Sequence, residues 1–218
     1  IKCLSILPMF KGGLKKRGSL MSRIELHNCD CLPFMKQCSD KQFDLAIVDP
    51  PYGMDIISGG KRNDRCIDLR QELKRWDKKP LKEYFQELQR ISKNRIIWGG
   101  NYFSQMIEGA RCFIVWRKVQ MLGMHSMADA ELALTSFNTN AKIYDGNNTT
   151  EKRIHPTQKP VKLYEWLLSN YAKKGDKIID THLGSGSSRI ACEKAGLDFV
   201  GCEIDKDYYE AQEQRFKD

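Results

Sequence analysis

No apolar run in this 218-residue chain reaches the ~18 residues of a membrane-crossing helix. The apolar stretch within residues 1–20 is too short and too interrupted for a secretory signal. Metal-ligand spacing is missing as well. There are eight cysteines, but Cys29-x-Cys31 is tighter than a usual zinc pair and the others are scattered. Cys112, Cys192 and Cys202 sit in core-like strands or helices, where a free thiol behaves as a small hydrophobe. That usage fits a reducing, cytoplasmic setting. Repeats and low-complexity tracts are also absent, so the length predicts one domain with a real core.

Acid is missing from residues 1–20, which carry Lys2, Lys11, Lys15, Lys16 and Arg17 and so hold five of the eight net positive charges. This stretch reads as a basic arm or an appended extension before Met21, with residues 21–218 as the domain. A second basic zone, Lys61 to Arg95, has twelve Lys/Arg against six Asp/Glu. It suits either a phosphate-tracking surface or a solvated helix face.

What is present begins with Phe43-Asp44-Leu45-Ala46-Ile47-Val48, a near-continuous apolar run that reads as a buried parallel strand. It opens onto Asp49-Pro50-Pro51-Tyr52-Gly53. In open α/β sheets the carboxyl ends of strands border the ligand crevice. The prolines cannot continue a central strand and stiffen the turn. Asp49, Pro50, Pro51 and Tyr52 therefore form a rigid shelf with one acceptor carboxylate and one flat ring.

A second pattern lies downstream. Lys177–Asp180 reads as a strand, Thr181-His182-Leu183-Gly184-Ser185-Gly186-Ser187-Ser188 as a glycine turn, and the following residues as a helix. Strand, glycine turn, helix is the start of a Rossmann-type nucleotide-binding unit. The next strand, Phe199–Glu203, ends in an acid 17 residues after Gly186, close to the ~20-residue spacing of a ribose-binding carboxylate.

Outside these two patterns, periodicity predicts a strand at Ile24–His27, a short helix at Leu32–Cys38, a long polar loop from Met54 to Trp76, a helix at Leu81–Ile91 and a strand at Arg95–Trp98. Strands at Cys112–Trp116 and Glu131–Ser136 lack a helix between them and predict an antiparallel pair at a sheet edge. Asn138 to Ile154 is turn-rich, and Pro160 opens a helix to about Ala172. Asn101-Tyr102-Phe103 follows a strand end that faces the crevice. Trp116 and Trp166 read as core, His155 as a loop-positioning residue, and His27 and His125 as bland.

Five segments appear in a fixed order: Asn28-Cys29-Asp30-Cys31, Asp49-Pro50-Pro51-Tyr52, His155-Pro156-Thr157-Gln158-Lys159-Pro160, Asp180-x-x-x-Gly184-Ser185-Gly186-Ser187 and Glu203-Ile204-Asp205. This set resembles the permuted (β-class) S-adenosylmethionine-dependent DNA amino-methyltransferases, over about Ile24 to Phe216. The resemblance implies a Rossmann-like α/β fold: a mostly parallel twisted sheet with an antiparallel edge pair and helices on both faces. It implies that Asp180, Leu183, Gly184, Ser185, Gly186 and Ser187 cradle the methionine part of the cofactor. Glu203 would bind the ribose hydroxyls with Asp205 beside it, and Asp30 would read the adenine amino group with Cys31 beside it. Thr157 and Lys159 would meet the cofactor's carboxylate end. Asp49 to Tyr52 would hold an adenine flipped out of double-stranded DNA, for transfer to N6. Cytosine N4, an RNA adenine and a catalytically silent DNA-binding subunit remain alternatives, as do a homodimer and a restriction-modification role. One departure stands out: the family usually has Pro-Phe after the aspartate of the cofactor loop, and this chain has Thr181-His182.

Overall fold

The computed structural model describes residues 22–53, 78–107, 111–119, 128–146 and 153–217. The expectations for residues 1–20, for Met54 to Trp76 and for His125 lie outside the described residues.

Eight strands form one sheet in the order β1-β8-β7-β2-β3-β5-β4-β6. They are β1 (Ile24–Asn28), β2 (Phe43–Val48), β3 (Ser92–Trp98), β4 (Phe113–Arg117), β5 (Ala130–Thr135), β6 (Lys142–Asp145), β7 (Lys177–Asp180) and β8 (Asp198–Glu203). The five strands β1, β8, β7, β2 and β3 run parallel. The described helices are α1 (Cys31–Gln37), α2 (Lys82–Ile91), α3 (Val161–Tyr171), α4 (Ser187–Ala195) and α5 (Lys206–Lys217). None of them is long and apolar enough to cross a membrane.

Strand β2 is apolar on both faces because both faces are covered. Successive side chains of a strand point to opposite sides, and β2 splits accordingly. Leu45 and Ile47 enter a core with Ile96, Trp98, Ile178 and Phe199, closed by Leu163 and Leu167 of α3 and Ala191 of α4. Ala46 and Val48 enter a second core with Ile97, Ile179 and Val200, closed by Met35 of α1 and Phe85, Leu88 and Ile91 of α2. Cys112, Cys192 and Cys202 are buried, as their apolar surroundings predicted, and Trp116 is fully buried. Trp166 packs at the margin of the first core.

The antiparallel pair is present, with Phe113 opposite Leu134 and Arg117 opposite Ala130. It is not the edge, however. Strand β6, within the stretch read as turns, runs parallel to β4 and ends the sheet. Its four residues keep Ile143 61% exposed, so apolar burial gives little signal. The strand is fixed instead by contacts distant in sequence. Arg117 donates to both carboxylate oxygens of Asp145 at 2.7 Å, and Trp116 Nε1 donates to the Gly146 carbonyl at 2.9 Å. Strand β3 also starts earlier than its apolar run, directly from α2, because Ser92 and Asn94 pair with Phe43 and Leu45 of β2.

Neighbouring order decides what the sheet presents at one end. The carboxyl ends of β1, β8, β7, β2 and β3 lie side by side there and lead into Asp30, Glu203, Thr181, Asp49 and Gly99 respectively.

Candidate active site

A cleft of about 1200 Å³ opens over those strand ends. Asp30, Cys31, Asp49, Pro50, Pro51, Tyr52, Thr157, Lys159, Leu183, Gly184, Ser185 and Glu203 all line it. The tyrosine shelf and the glycine turn therefore share one cavity. Asp180, Gly186, Ser187 and Asp205 are not part of its wall.

On one side, Asp49 emerges from β2 with both carboxylate oxygens engaged. Tyr52 donates its phenol to Oδ1 at 2.8 Å, and Lys159 donates its ammonium to Oδ2 at 2.5 Å. The Tyr52 ring stacks on Tyr102 with centroids 4.9 Å apart and planes 21° from parallel, and meets the edge of Phe103. Gly99 leaves room for this ring. A Cβ there would stand 2.2 Å from Tyr52 Cε1, and the residue has φ +68°, a conformation that suits glycine.

The charge around Asp49 extends further than sequence reading found. Lys159 Nζ also lies 3.0 Å from Glu131 Oε2, and Lys118 Nζ lies 2.5 Å from Glu131 Oε1. Each ammonium rests near a buried indole, Lys159 at 5.4 Å from the Trp98 ring and Lys118 at 5.2 Å from Trp116. Burial raises the Asp49 carboxyl above its ordinary range; Lys159 opposes that rise and Glu131 adds to it. Burial also works against ionisation at Glu131, but its two lysines outweigh it and the carboxyl is drawn down to about 2. Lys159 is buried, yet its two carboxylates raise its pKa and keep it protonated. The resemblance placed this ammonium at the cofactor's carboxylate end; the structure places it on Asp49.

On the other side, Gly184 and Gly186 take positive φ, +51° and +72°. Glu203 braces the turn: Oε2 accepts from Gly184 N at 2.8 Å and Oε1 from Asp205 N at 2.9 Å. Asp205 itself accepts from Asp207 N and Tyr208 N at the start of α5. Ser187 points inward and donates to the Lys159 carbonyl at 2.7 Å. Asp180 is turned under the loop, where Ser188 Oγ donates to it at 2.6 Å and His182 N at 3.0 Å. Burial pushes its carboxyl up to about 7.

Asp30 caps α1 by accepting from Leu32 N at 2.9 Å, and it also lines the cleft. Burial pushes the neighbouring Cys31 thiol up to about 12. Thr157 Oγ1 lies 3.1 Å from His155 Nδ1, and the His155 ring packs edge-on against Tyr208. The unusual pair Thr181-His182 meets Tyr84 of α2. Tyr84 Oη lies 2.7 Å from Thr181 Oγ1, which is 3.0 Å from His182 Nδ1. Burial lowers His182 to about 4, so the ring is neutral at physiological pH.

Sequence reading missed Glu131, Lys118, Tyr84 and Gly99. Tyr84 falls in the apolar periodicity of the Leu81–Ile91 helix, Glu131 opens a predicted strand, and nothing in the spacing singles out Lys118.

A parallel α/β sheet with a glycine turn, a buried acid at the next strand end and an acidic shelf across one cleft defines a Rossmann-like, nucleotide-cofactor class of enzyme fold. The chain belongs to the DNA methylase family of N6/N4 methyltransferases, whose family model matches residues 58–214. Among curated relatives, the type II methyltransferase M.HpaI of Haemophilus parainfluenzae is 34% identical over 64 residues, covering 29% of this chain and 20% of that protein. The aligned part is thus a fifth of that relative's length. Two solved structures share the fold. One is the PvuII cytosine-N4-specific DNA methyltransferase, with TM-score 0.62, 12% identity and coverage of 91% of this chain and 88% of that one. The other is the M1.HpyAVI–SAM complex, with TM-score 0.57, 21% identity and coverage of 88% and 98%.

Proposed function

We propose that this protein transfers a methyl group from S-adenosylmethionine to the exocyclic N6 amine of an adenine flipped out of double-stranded DNA, as a β-class enzyme. The observation that carries this reading is the single cleft that holds the Asp49–Tyr52 shelf opposite the Gly184 turn and Glu203.

The cofactor side fits the group. Glu203 is a buried carboxylate on the cleft wall, suited to ribose hydroxyls. The positive-φ turn at Gly184 brings backbone close to a ligand, and Asp30 presents an acceptor. Leu183, Ser185, Cys31 and Thr157 complete the wall. Bound there, S-adenosylmethionine supplies an electrophilic methyl carbon on a sulfonium.

The amine of adenine is a poor nucleophile because its lone pair is delocalised into the ring. Asp49 and the Pro50 carbonyl accept its hydrogens and draw the nitrogen toward sp³. Held by Glu203, Asp30 and the Gly184 turn, the cofactor would supply the methyl group to this freed lone pair, and Asp49 would take up the surplus amine proton. Catalysis of this kind rests on positioning and electrostatics. The amine is inaccessible within a duplex, so the base must be extruded, and Tyr52 offers it an aromatic partner. Lys78, Lys79 and Arg153 at the cleft suit the flanking phosphates.

Cytosine N4 is the second reading, favoured by the likeness to the PvuII enzyme. Incubation with tritiated-methyl cofactor and unmethylated DNA, followed by nucleoside separation, tests both. Label in N6-methyladenine supports the first reading and label in N4-methylcytosine replaces it with the second. No transfer to DNA overturns both.

A further inference from the structure

Lys159 is anchored at both ends. Its backbone carbonyl accepts from Ser187 Oγ at 2.7 Å, tying it to the first residue of α4. Pro160 follows it, and its side chain, 4% exposed, runs over Trp98 to Asp49 and Glu131. An ammonium has three donors and no acceptor. One donor bonds Asp49 Oδ2, just past the end of β2, and the ammonium also pairs by charge with Glu131 Oε2 of β5 at 3.0 Å. Glu131 is in turn held from the far side by Lys118. The result is a partly buried alternating row, Asp49–Lys159–Glu131–Lys118, with no net charge.

We infer that Lys159 and Glu131 are positioning residues for Asp49: Lys159 fixes one carboxylate oxygen and Glu131 shares its ammonium, so that Asp49 stays oriented and basic for the incoming amine. This rests on the methyltransferase reading above. The two oxygens of Asp49 are held differently. Oδ1 is bound by Tyr52, whose phenol belongs to the same loop and yields when a base arrives. Oδ2 is bound by a lysine pinned through its backbone, so the carboxylate cannot swing when Tyr52 lets go. A lysine devoted to Asp49 alone would make a strong, inert pair. Glu131 prevents that by competing for the same ammonium at 3.0 Å.

Among the described residues, the groups that face Asp49 are few. They are Tyr52 from its own loop, Lys159 from the segment before α3, Glu131 from β5 with Lys118 behind it, Tyr164 from α3 and Asp180 from β7. His155 faces Lys159 from the same segment. Among the described residues, the charge that lowers the carboxyl is that of Lys159.

The test is the pH profile of kcat at saturating cofactor and DNA, with cofactor Kd by titration calorimetry, for wild type, Lys159→Met, Lys159→Arg and Glu131→Gln. Lys159→Met should lower kcat on the order of 10²-fold, as misplacement of a reacting group does. It should also move the acid limb to higher pH and leave cofactor Kd unchanged. Lys159→Arg should restore part of kcat and return the limb. Glu131→Gln, which removes a competing negative charge, should move the limb to lower pH. Opposite shifts from the two variants are a signature that loss of packing does not produce. If Lys159→Met does not fold, the direction of the Glu131→Gln shift decides: downward supports the inference, and no shift or an upward one overturns it. A Lys159→Met protein that binds cofactor at least about tenfold more weakly, ~1.4 kcal/mol, with kcat and acid limb intact, makes Lys159 a cofactor ligand and overturns it. A wild type that transfers no methyl group fails the parent reading and takes this inference with it. An active wild type with unmoved variants overturns this inference alone.

Discussion

Tyr52 donates its phenol to Asp49 at 2.8 Å, so the ring proposed to stack a base is tied to the carboxylate proposed to accept its amine. The hydroxyl and the ring can be separated by substitution. Tyr52→Phe frees Asp49 Oδ1 and keeps the aromatic face, so transfer should persist. Tyr52→Ala loses stacking worth ~1–3 kcal/mol per base, a drop of roughly 5- to 150-fold in kcat/KM. Asp49→Ala should abolish transfer while cofactor still binds. Single-turnover methyl transfer on a short duplex, alongside calorimetric cofactor titration, reads all three. Equal rates for the Phe and Ala variants contradict the stacking role.

Gly99→Ala tests the same shelf from behind. A methyl group there collides with the Tyr52 ring, and the backbone sits at φ +68°. Such a backbone costs a non-glycine residue ~1–3 kcal/mol, and Tyr52 must move off Tyr102. The variant should fold with a lowered Tm, lose base-side activity and keep its cofactor Kd. Near-ultraviolet circular dichroism should report the broken Tyr52–Tyr102 stack. Unchanged transfer would mean that the ring's position is immaterial.

The sheet's central strands were legible in sequence because a strand covered on both faces must be mostly apolar, as Phe43–Val48 is apart from Asp44. The glycine turn was legible because backbone with positive φ at Gly184 and Gly186 restricts residue choice. Strand β6 was not, since its stability comes from Arg117–Asp145 and Trp116–Gly146 contacts about 30 residues apart rather than from its own composition. Glu131 and Lys118 were invisible for a related reason. A charged residue at a strand end reads as solvated until a second element is known to bring a partner. The orientation of Asp180 was equally hidden: spacing gives its place after β7, but only Ser188 Oγ and His182 N show that it faces beneath the turn.

Glu203 holds Gly184 N and Asp205 N, one on each oxygen, so Glu203→Ala removes both a ligand contact and a brace. Hydrogen bonds to a charged group contribute ~1.5–3 kcal/mol. Cofactor Kd should therefore weaken by roughly tenfold or more, and Tm should fall as well. Glu203→Gln keeps one acceptor oxygen and should recover Tm more fully than affinity. Calorimetry with thermal melts separates the two effects. An unchanged Kd in Glu203→Ala would remove the ribose assignment.

Asp180 and His182 give the protein two opposed pH dependences at one strand end. Burial raises Asp180 from 3.8 to about 7, so the native state holds its proton more tightly than the unfolded chain. Stability from this group is fully present below pH ~3.8 and is lost as pH rises through about 7, by the linkage between proton binding and folding. Burial lowers His182 from 6.5 to about 4. Its contribution is present above pH ~6.5 and is lost as pH falls through about 4, again by linkage. Asp180→Asn preserves the hydrogen-bonding shape without a charge to bury, so its Tm relative to wild type should climb between pH 4 and 7. His182→Phe removes the group that must charge in acid, so its relative Tm should climb in the other direction, from pH 6.5 down to 4. Melts of the three proteins across that range check the signs. A constant offset at every pH would mean that neither group changes its proton affinity on folding.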